Sequence, residues 1–381
     1  MRVIIAGGGK LGYKIAESLS QQENNVIVID IDEKTLESIN ENLDVLTIKS
    51  NGVQIGTLEQ LQIGDSDLII AVTGSDESNI LISIMARKMG CKKVIARIRN
   101  PEYASQVKFI RENMEIDYIV NPDLATSKEI AGYLLKNEAL YIEDFAKGKI
   151  GMADFRVSNL KDIAGKRIKD LGLEGPLLIV AISRNGQIII PHGNTDILST
   201  DIIYLMGKRE SINNFSQTHV GYGEIRRTKK VILIGGGRIS YYLAKQLLEK
   251  GVDIKIIEKD RERCEYLAEN IGGGLVIYGD GTDINLLLAE NLADMDALVS
   301  LTGFDEENLM IALLAKQYGV DKIIAKVSRA NYIPIIEKLG IDVAINPVLI
   351  TASEILRMVR GGKIESISLL LGGQGETIEF I

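Results

Sequence analysis

The chain has 381 residues, a net charge of −8 at pH 7 and an apolar fraction of 46%, as in an ordinary water-soluble globular protein. This acidic balance argues against a nucleic-acid or anionic-membrane binder, because such proteins carry clustered lysine and arginine. No apolar run approaches the roughly 18 residues that a membrane-spanning helix needs. The length predicts two to four domains.

The first residues of the chain are predicted to form a strand that enters a glycine turn, which leaves no room for a signal peptide. Cys91 and Cys264 have neither the CxxC spacing nor the density of a disulfide scaffold. We therefore expect two reduced thiols in a cytoplasm.

Strands and helices alternate along the first third of the chain. Strand Arg2–Ala6 precedes a helix at Lys10–Leu19, in which Leu11, Ile15 and Leu19 share one face. Further strands are predicted at Val26–Ile29, Leu68–Val72 and Lys93–Ile98, with a helix near Asn79–Lys88. Apolar strands separated by helices indicate a parallel sheet covered on both faces. The predicted fold class is therefore α/β, with a doubly wound, Rossmann-like sheet.

A glycine motif, Gly7-x-Gly9-x-x-Gly12, joins the first strand to the first helix. Its first glycine makes a tight turn, its second lets a phosphate approach the backbone, and its third allows close packing of helix and strand. The helix then offers free N–H groups to the phosphate. Asp30 ends the second strand, where a carboxylate accepts ribose hydroxyls and repels a 2′-phosphate, which favours NAD or an adenosine nucleotide over NADP.

The middle of the chain has a different pattern of predicted strands and helices. Strands are predicted at Ile150–Val157, Leu177–Arg184, Gln187–Ile190 and Asp201–Leu205, with a short helical piece near Ala164–Leu171. This pattern indicates a small α+β module, which a polar linker at 211–228 follows.

The remaining third repeats the first. Val231 to Ser240 resembles Val3 to Gly12 at an offset of 228, and Glu258 falls on Asp30 at the same offset. At an offset of 229, Asn51-Gly52, Thr73-Gly74 and Ala96-Arg97 recur as Asp280-Gly281, Thr302-Gly303 and Ala325-Lys326. The chain therefore contains two tandem copies of one Rossmann unit.

The second copy keeps Gly235, Gly237 and Glu258 but has Ser240 in place of the third glycine. Because serine is small, we expect helix and strand to pack at a slightly greater separation. The alternative is a degenerate copy with only a structural role.

Three pairs of polar positions lie near the predicted phosphate sites. Lys10 and Arg238 meet either a terminal phosphate or only solvent. Arg97 and Lys326 follow strand five, at the carboxyl edge where ligands of open sheets bind, and we expect them to contact a ligand or an interface. Asn51 and Asp280 either reach the adenosine or form a plain turn.

The sequence offers no enzyme motif. A dehydrogenase needs a proton donor at its substrate, yet the chain has two histidines, of which His219 is assigned to the polar linker and His192 to a turn of the small module. No cluster has metal-ligand spacing, and neither a Gly-x-Ser-x-Gly elbow nor a Walker motif occurs. The Asp305–Asn308 run is better explained as a helix N-terminus than as an acid–base pair.

These features resemble the KTN/RCK family, the regulators of potassium conductance, and within it the cytoplasmic regulators of Trk potassium uptake systems. The motifs that carry the resemblance are Gly7-x-Gly9-x-x-Gly12 with Asp30, Thr73-Gly74-x-Asp76-Glu77-x-Asn79, Ala96-Arg97, Gly279-Asp280-Gly281-Thr282, Thr302-Gly303-x-Asp305-Glu306-x-Asn308 and Ile190-Pro191-His192-Gly193-Asn194-Thr195. Ser240 departs from the pattern, as does Ser50-Asn51-Gly52, which stands where the second copy has Gly-Asp-Gly. These departures suggest that the two sites differ in ligand or strength.

The resemblance implies NAD(H) and ATP or ADP as ligands. It also implies a homotetrameric ring beneath a membrane potassium channel or transporter subunit of the TrkH/TrkG type, and a location at the inner face of the cell membrane. The implied sites comprise Gly7, Gly8, Gly9, Lys10, Leu11, Gly12, Asp30, Asn51, Thr73, Gly74 and Arg97, and Gly235, Gly236, Gly237, Arg238, Ile239, Glu258, Asp280, Thr302, Gly303 and Lys326.

The resemblance divides the chain into a first RCK N-lobe at 1–135, a small C-lobe at 136–210, the linker at 211–228, a second N-lobe at 229–350 and an incomplete second C-lobe at 351–381. Gly362-Lys363-Ile364 repeats Gly148-Lys149-Ile150, which predicts that the chain ends some 50 residues short of a second complete module. Two alternatives to this function remain: an NAD-dependent oxidoreductase, and an RCK-type regulator of another transporter, such as a cation–proton antiporter.

Overall fold

A computed structural model describes residues 1–22, 24–104, 106–135, 141–145, 149–184, 187–219, 228–360, 364–370 and 375–380. The chain divides into two compact units, of which one comprises Met1–Ala125 with Val348–Gly361 and the other comprises Thr126–Pro347 with Gly362–Ile381. Within the residues named above, no helix combines the length and apolarity required to span a bilayer.

The first copy is an alternation of strands and helices. Its strands are β1 Arg2–Ala6, β2 Asn25–Asp30, β3 Leu46–Lys49, β4 Leu68–Ala71, β5 Val94–Arg97 and β6 Tyr118–Val120, and its helices are α1 Lys10–Ser20, α2 Glu33–Asn42, α3 Ile55–Gln60, α4 Asp76–Lys88, α5 Pro101–Ala104, α6 Val107–Asn113 and α7 Pro122–Leu135. The strands pair in parallel in the order β3-β2-β1-β4-β5-β6, which is the predicted doubly wound sheet. Ile4, Ile69 and Ile95 are buried within it, and α1 buries Leu11, Ile15 and Leu19.

The small module is an antiparallel sheet with one helix. Its elements are β7 Tyr141–Phe145, β8 Ile150–Arg156, β9 Leu177–Arg184, β10 Gln187–Ile189, β11 Ile202–Lys208 and α8 Arg209–His219. The strand order is β10-β9-β11-β8-β7. Phe155 of β8 and Phe215 of α8 pack edge to face in its core, with ring centroids 5.3 Å apart.

Two expectations for this region need correction, and one strand was missed. The residues from 211 to 219 are helical rather than linker, because Ile212, Phe215 and Ser216 form a buried face of α8. The remaining linker residues 220–227 lie outside the described residues. The predicted helical piece at 164–171 contains only a 3-10 turn at Ile168–Asp170, and Gly165 before it has a φ of +81°, which a helix excludes. Strand β7 was not predicted.

The second copy repeats the first fold. Its strands are β12 Lys230–Ile234, β13 Asp253–Glu258, β14 Leu275–Tyr278, β15 Ala297–Ser300, β16 Lys322–Lys326 and β17 Val343–Ile345, and its helices are α9 Arg238–Leu248, α10 Arg261–Asn270, α11 Ile284–Ala289, α12 Asp305–Gln317, α13 Ile333–Lys338 and α14 Pro347–Arg360. Strand order β14-β13-β12-β15-β16-β17 reproduces that of the first sheet, which confirms the duplicated fold.

An antiparallel pair follows the second copy, formed by β18 Ile364–Leu370 and β19 Gly375–Phe380. Gly148, Gly362 and Lys363 of the repeat predicted to start a second small module lie outside the described residues.

Candidate functional site

The turn between β1 and α1 has a conformation that only glycine supports. Gly7 has a φ of +107°, and its N–H donates to the carbonyl of Ile29 at 2.8 Å. A Cβ atom at Gly7 would lie 2.8 Å from the backbone nitrogen of Thr73. The first glycine therefore makes the turn and also lets the β4 end approach it closely.

Asp30 holds the middle of this turn. Its Oδ2 accepts the Gly8 N–H at 2.6 Å, and its Oδ1 accepts the Asp32 N–H at 2.9 Å. The carboxylate predicted to grip a ribose thus also fixes the glycine backbone. Each oxygen retains a further acceptor position, because a carboxylate oxygen accepts about two hydrogen bonds.

The second and third glycines of the motif meet opposite surroundings. A Cβ atom at Gly9 would have no atom within 4 Å, so the backbone there is open to a ligand. A Cβ atom at Gly12 would overlap the carbonyl oxygen of Gly7. The close helix packing predicted for the third glycine is therefore present at Gly12, and the backbone at Gly9 is open as the predicted phosphate approach requires.

Helix α1 begins without a side-chain cap. Among the described residues, none caps its N-terminus, and the first turn contains no acidic residue. Helix α4 of the same domain is capped by the Ser75 hydroxyl, which accepts the Ser78 N–H at 3.1 Å. The N–H groups at the start of α1 are thus available to an anion, with exposed Lys10 beside them and Leu11 buried in the core.

The ends of β4 and β5 form the other side of the candidate site, opposite the glycine turn, and we call this side the rim. The buried Asn79 accepts the Thr73 N–H through Oδ1 at 2.8 Å and donates from Nδ2 to the Arg97 carbonyl at 2.9 Å. The Arg97 guanidinium also donates to the Thr73 carbonyl. Asn79 therefore fixes two predicted site residues, a role that sequence reasoning missed although its recurrence as Asn308 was a usable signal.

The acidic residues beside Asn79 have a structural part. Asp76 accepts the N–H groups of Arg99 and Asn100 at 2.9 and 2.8 Å, and so ties the start of α4 to the loop after β5. This agrees with the expectation of a helix N-terminus rather than an acid–base pair. Gly74 is exposed, and a Cβ atom there would meet nothing within 4 Å.

Asn51 lies at the same edge of the sheet. The Ser50 N–H before it donates to the Asp30 carbonyl at 2.9 Å, and the Asn51 side chain accepts the Val53 N–H at 3.1 Å. Asn51 therefore forms a turn, which is one of the two alternatives predicted for it. Asp280 makes the equivalent turn, in which hydrogen bonds from the Thr282 N–H and hydroxyl lower the pKa of Asp280.

The turn between β12 and α9 repeats the geometry of the turn between β1 and α1, and we call these two turns the glycine corners. Gly235 has a φ of +96°, and the Gly236 N–H donates to Glu258 Oε2 at 2.5 Å. A Cβ atom at Gly237 would meet nothing within 4 Å. Of the residues that the structure describes, none caps α9 and none in its first turn is acidic; Arg238 is exposed and Ile239 is buried.

Ser240 fits the place of the missing third glycine. Its side chain is fully buried, and its hydroxyl donates to the carbonyl of Gly235, the counterpart of the group that a Cβ at Gly12 would overlap. The substitution therefore replaces a bare backbone contact with a hydrogen bond, and the corner keeps its shape.

The second rim also matches. Asn308 accepts the Thr302 N–H at 2.8 Å and donates to the Lys326 carbonyl at 3.0 Å. Gly303 is exposed with open space at its Cβ position. Each copy thus brings together its glycine corner, its acidic residue and the ends of its fourth and fifth strands.

The two histidines lie apart from these corners in the chain and have other surroundings. His219 ends α8, where its ring packs against Phe215 at 4.6 Å and Nδ1 lies 3.1 Å from the Lys161 carbonyl. The backbone N–H of His192 donates to the Thr195 hydroxyl at 3.0 Å in a turn. In the described parts of the chain, no group of three or more His, Cys, Asp or Glu side chains is placed to hold a metal ion.

Comparison with known proteins agrees with this duplicated arrangement. The TrkA-N domain model matches residues 3–122 and again 231–347, and the TrkA-C domain model matches 152–218. A Trk system potassium uptake protein homologue of Methanosarcina mazei is 38% identical over all of this chain and 94% of its own length. The Trk system potassium uptake protein TrkA of Haemophilus influenzae is 32% identical over all of this chain and 84% of its own.

Solved structures share the fold at lower identity. The RCK domain of GsuK is 17% identical, with a TM-score of 0.68 over 94% of this chain and 76% of that one. The GsuK channel bound to NAD gives 0.67 at 16% identity over 94% and 63%. GsuK bound to ADP gives 0.61 at 12% identity over 94% and 69%.

Both the relatives and the domain models span the glycine corners of the two copies. The chain therefore belongs to the TrkA family of Trk system potassium uptake proteins.

Proposed function

We propose that this chain is a nucleotide-sensing regulatory subunit of a potassium uptake system. It binds NAD(H) and ATP or ADP at its two glycine corners and gates a membrane partner by rearrangement of a ring of RCK domains. Support comes from relatives named for Trk potassium uptake. It also comes from GsuK, which has a similar fold and has been solved bound to NAD and to ADP.

One observation carries the proposal. In both copies, an uncapped helix starts at an open glycine, Gly9 or Gly237, beside a backbone-anchored carboxylate, Asp30 or Glu258. The helix N–H groups and dipole favour a diphosphate, and the carboxylate has acceptor positions left for ribose hydroxyls. Two such corners in one chain suit a sensor that compares nucleotides.

The rim residues complete each site. Thr73 with Gly74, and Thr302 with Gly303, border the glycine corner at the end of the fourth strand. Arg97 and Lys326 follow at the end of the fifth strand, and Lys10 and Arg238 supply cations at the mouth for a terminal phosphate. Because all these groups lie at the carboxyl edge of a parallel sheet, they converge where open α/β sheets bind their ligands.

The chain works by binding rather than by catalysis. His219 is engaged with Phe215 and the Lys161 carbonyl, and the acid beside each rim, Asp76 or Asp305, accepts backbone N–H groups. Neither arrangement offers a proton donor for a substrate. Among the residues that the structure describes, no specific contact favours the oxidoreductase alternative.

Gating follows from differential affinity. A ligand that binds one arrangement of the ring about 100-fold more tightly supplies about 2.7 kcal/mol per site, and several sites add. The partner is a membrane subunit of the TrkH/TrkG type, and the active assembly is a homotetrameric ring at the cytoplasmic face of the membrane.

Calorimetric titration of the full chain with NADH, ATP and ADP tests the proposal. Gly9→Ala and Gly237→Ala each place a methyl group in open space where a phosphate would approach, on extended backbone that alanine adopts without strain. Each is expected to remove binding at its own corner only. Asp30→Ala and Glu258→Ala are expected to weaken binding at the same corners.

A matched control is Gly132→Ala, which also adds a methyl group in open space, within α7. It is expected to bind all three nucleotides as the wild type does. Absence of binding to the wild type at millimolar nucleotide, or full binding to the doubly substituted Gly9→Ala, Gly237→Ala chain, would reject the proposal.

A further inference from the structure

The segment from the end of the second strand to the first turn of the following helix differs in charge between the two corners. Residues 30–35 contain three acidic side chains and one basic side chain, a net charge of −2, whereas residues 258–263 contain three of each, a net charge of zero. The opposite charges at positions 33 and 34 are exchanged at 261 and 262 and cancel. The net difference therefore comes from two aligned positions, where Lys259 replaces Ile31 and Arg263 replaces Thr35. The second corner therefore repels an added anion less than the first.

Arg263 lies against the backbone of the second glycine corner. Its Nε donates to the Gly236 carbonyl at 2.6 Å, and its guanidinium lies 4.6 Å from the ring centroid of Tyr266. Its Nη2 is buried and has no hydrogen-bond partner within the described ranges. A buried donor of this kind normally has an acceptor, so the guanidinium has capacity left for one.

Thr35 occupies the matching place in the first corner. Its methyl group lies 3.0 Å from the position that a Cβ atom at Gly8 would take, next to Ile39. Its hydroxyl donates to Asp32 at 2.7 Å and not to the glycine loop. The two corners therefore have the same frame with a neutral side chain in one and a guanidinium in the other.

We propose that Arg263 is a specificity-determining residue, which lets the second corner accept an adenosine ribose with a 2′-phosphate, as in NADP(H), that the first corner rejects. The inference rests on the proposed function, since it assumes adenosine nucleotides at both corners. A carboxylate after strand two selects the free 2′-hydroxyl, and an arginine nearby accommodates the phosphate.

The second corner retains an acid, Glu258, whose charge opposes a 2′-phosphate as that of Asp30 does, and Arg263 and Lys259 offset this charge. Both oxygens of Glu258 already accept backbone N–H groups, from Gly236 at 2.5 Å and Asp260 at 2.9 Å. The same is true of Asp30, so the acid alone does not distinguish the corners. The cations Arg263 and Lys259 do.

Titrations of NADPH and NADH on the full chain test the assignment, with the Gly9→Ala background to isolate the second corner and Gly237→Ala to isolate the first. The ratio of NADPH to NADH affinity is expected to be at least about tenfold higher at the second corner, as for a charge-assisted hydrogen bond. Arg263→Thr is expected to lower NADPH affinity about tenfold and to leave NADH affinity within about twofold.

Two further variants keep the test decisive if Arg263→Thr folds poorly. Arg263→Lys keeps the charge and is expected to retain part of the preference, and Thr35→Arg is expected to raise NADPH affinity at the first corner. Equal ratios at the two corners, or an equal loss of ATP and NADPH in Arg263→Thr, would overturn the assignment. Failure of NADH to bind either corner would instead reject the proposed function.

Discussion

A methyl group on Gly12 would overlap the carbonyl oxygen of Gly7, five residues earlier in the same turn. The contact joins two backbone segments, so no flexible side chain can move to relieve it. Gly12→Ala is therefore expected to destabilise the first Rossmann unit by about 1–3 kcal/mol or more. Urea denaturation of the full chain, followed by hydrogen exchange in β1 and α1, measures the loss.

Gly9→Ala is the control for this change, since its methyl group meets open space, and its stability is expected to stay within about 0.5 kcal/mol of the wild type. Equal stability of the Gly12→Ala and Gly9→Ala proteins would contradict the packing role of Gly12.

The buried amide of Asn79 predicts a larger loss than any surface asparagine. Asn79→Ala leaves the Thr73 N–H and the Arg97 carbonyl without this partner, at a cost of about 2–3 kcal/mol and with weaker nucleotide binding at the first corner. Asn113→Ala, on an exposed side chain of the same unit, is expected to cost less than about 0.5 kcal/mol. Denaturation and calorimetry on both variants measure the difference, and a neutral Asn79→Ala would refute the role.

Two arginine–aspartate pairs of the small module are expected to differ in energy. Arg184 binds Asp201 through Nε and Nη2 at 2.9 and 2.7 Å, and the Asp201 side chain is fully buried. Arg184→Met leaves a buried carboxylate without its cation and is expected to cost about 3 kcal/mol. Arg167→Met breaks the exposed pair with Asp196, in which Nε and Oδ1 are 3.5 Å apart, and is expected to cost at most about 1 kcal/mol.

Thermal and urea unfolding of the two variants decides the comparison. A loss in Arg167→Met as large as that in Arg184→Met would show that burial does not set the strength of these pairs.

The pH dependence of stability is expected to change in opposite directions at two aspartates. Burial raises the pKa of Asp342, so its ionisation opposes folding, and this effect grows as the pH rises through the raised value. Asp342→Asn retains an acceptor for the Ile323 N–H and is expected to be more stable than the wild type near pH 7, with the advantage vanishing towards pH 4.

Asp67 supplies the opposite case. The hydrogen bond from Lys92 lowers the pKa of Asp67, so the ionised form stabilises the fold above the ordinary aspartate range, and this stabilisation is lost as the pH falls. Asp67→Asn is expected to be less stable than the wild type near pH 7 and similar to it in acid. Urea denaturation from about pH 2 to 7.5 checks both signs, because the contribution of Asp67 is lost only as the pH falls below its ordinary pKa. Parallel curves for wild type and variants over this range would contradict them.

Most of the Rossmann architecture followed from the sequence because its signals are local. Apolar strands, a glycine turn and the one-face spacing of Leu11, Ile15 and Leu19 each lie within a few residues of one another. The nearly constant offset between the copies, 228 and then 229, repeated these local signals in the second copy. The parallel, doubly wound sheet and the position of both glycine corners were predictable for this reason.

The incorrect or missing predictions concern contacts between residues that are far apart in the sequence. Helix α8 has a polar exposed surface, and its buried face depends on the packing of Phe215 against Phe155 of β8, which is distant in sequence. Asn79 acts between the ends of two strands that are distant in sequence, so its recurrence as Asn308 indicated importance without a role. The hydrogen bond that the Gly8 N–H donates to Asp30 spans 22 positions and likewise depends on the folded turn.

The anchoring of both rims of each corner has a calorimetric consequence. Asp30 already holds the Gly8 amide and Asn79 already holds Thr73, as Glu258 and Asn308 do in the second copy. A nucleotide that docks there orders little backbone and buries little apolar surface beyond its adenine. Its association should therefore have a small negative heat-capacity change, distinct from the large one that accompanies folding of a disordered loop around a ligand.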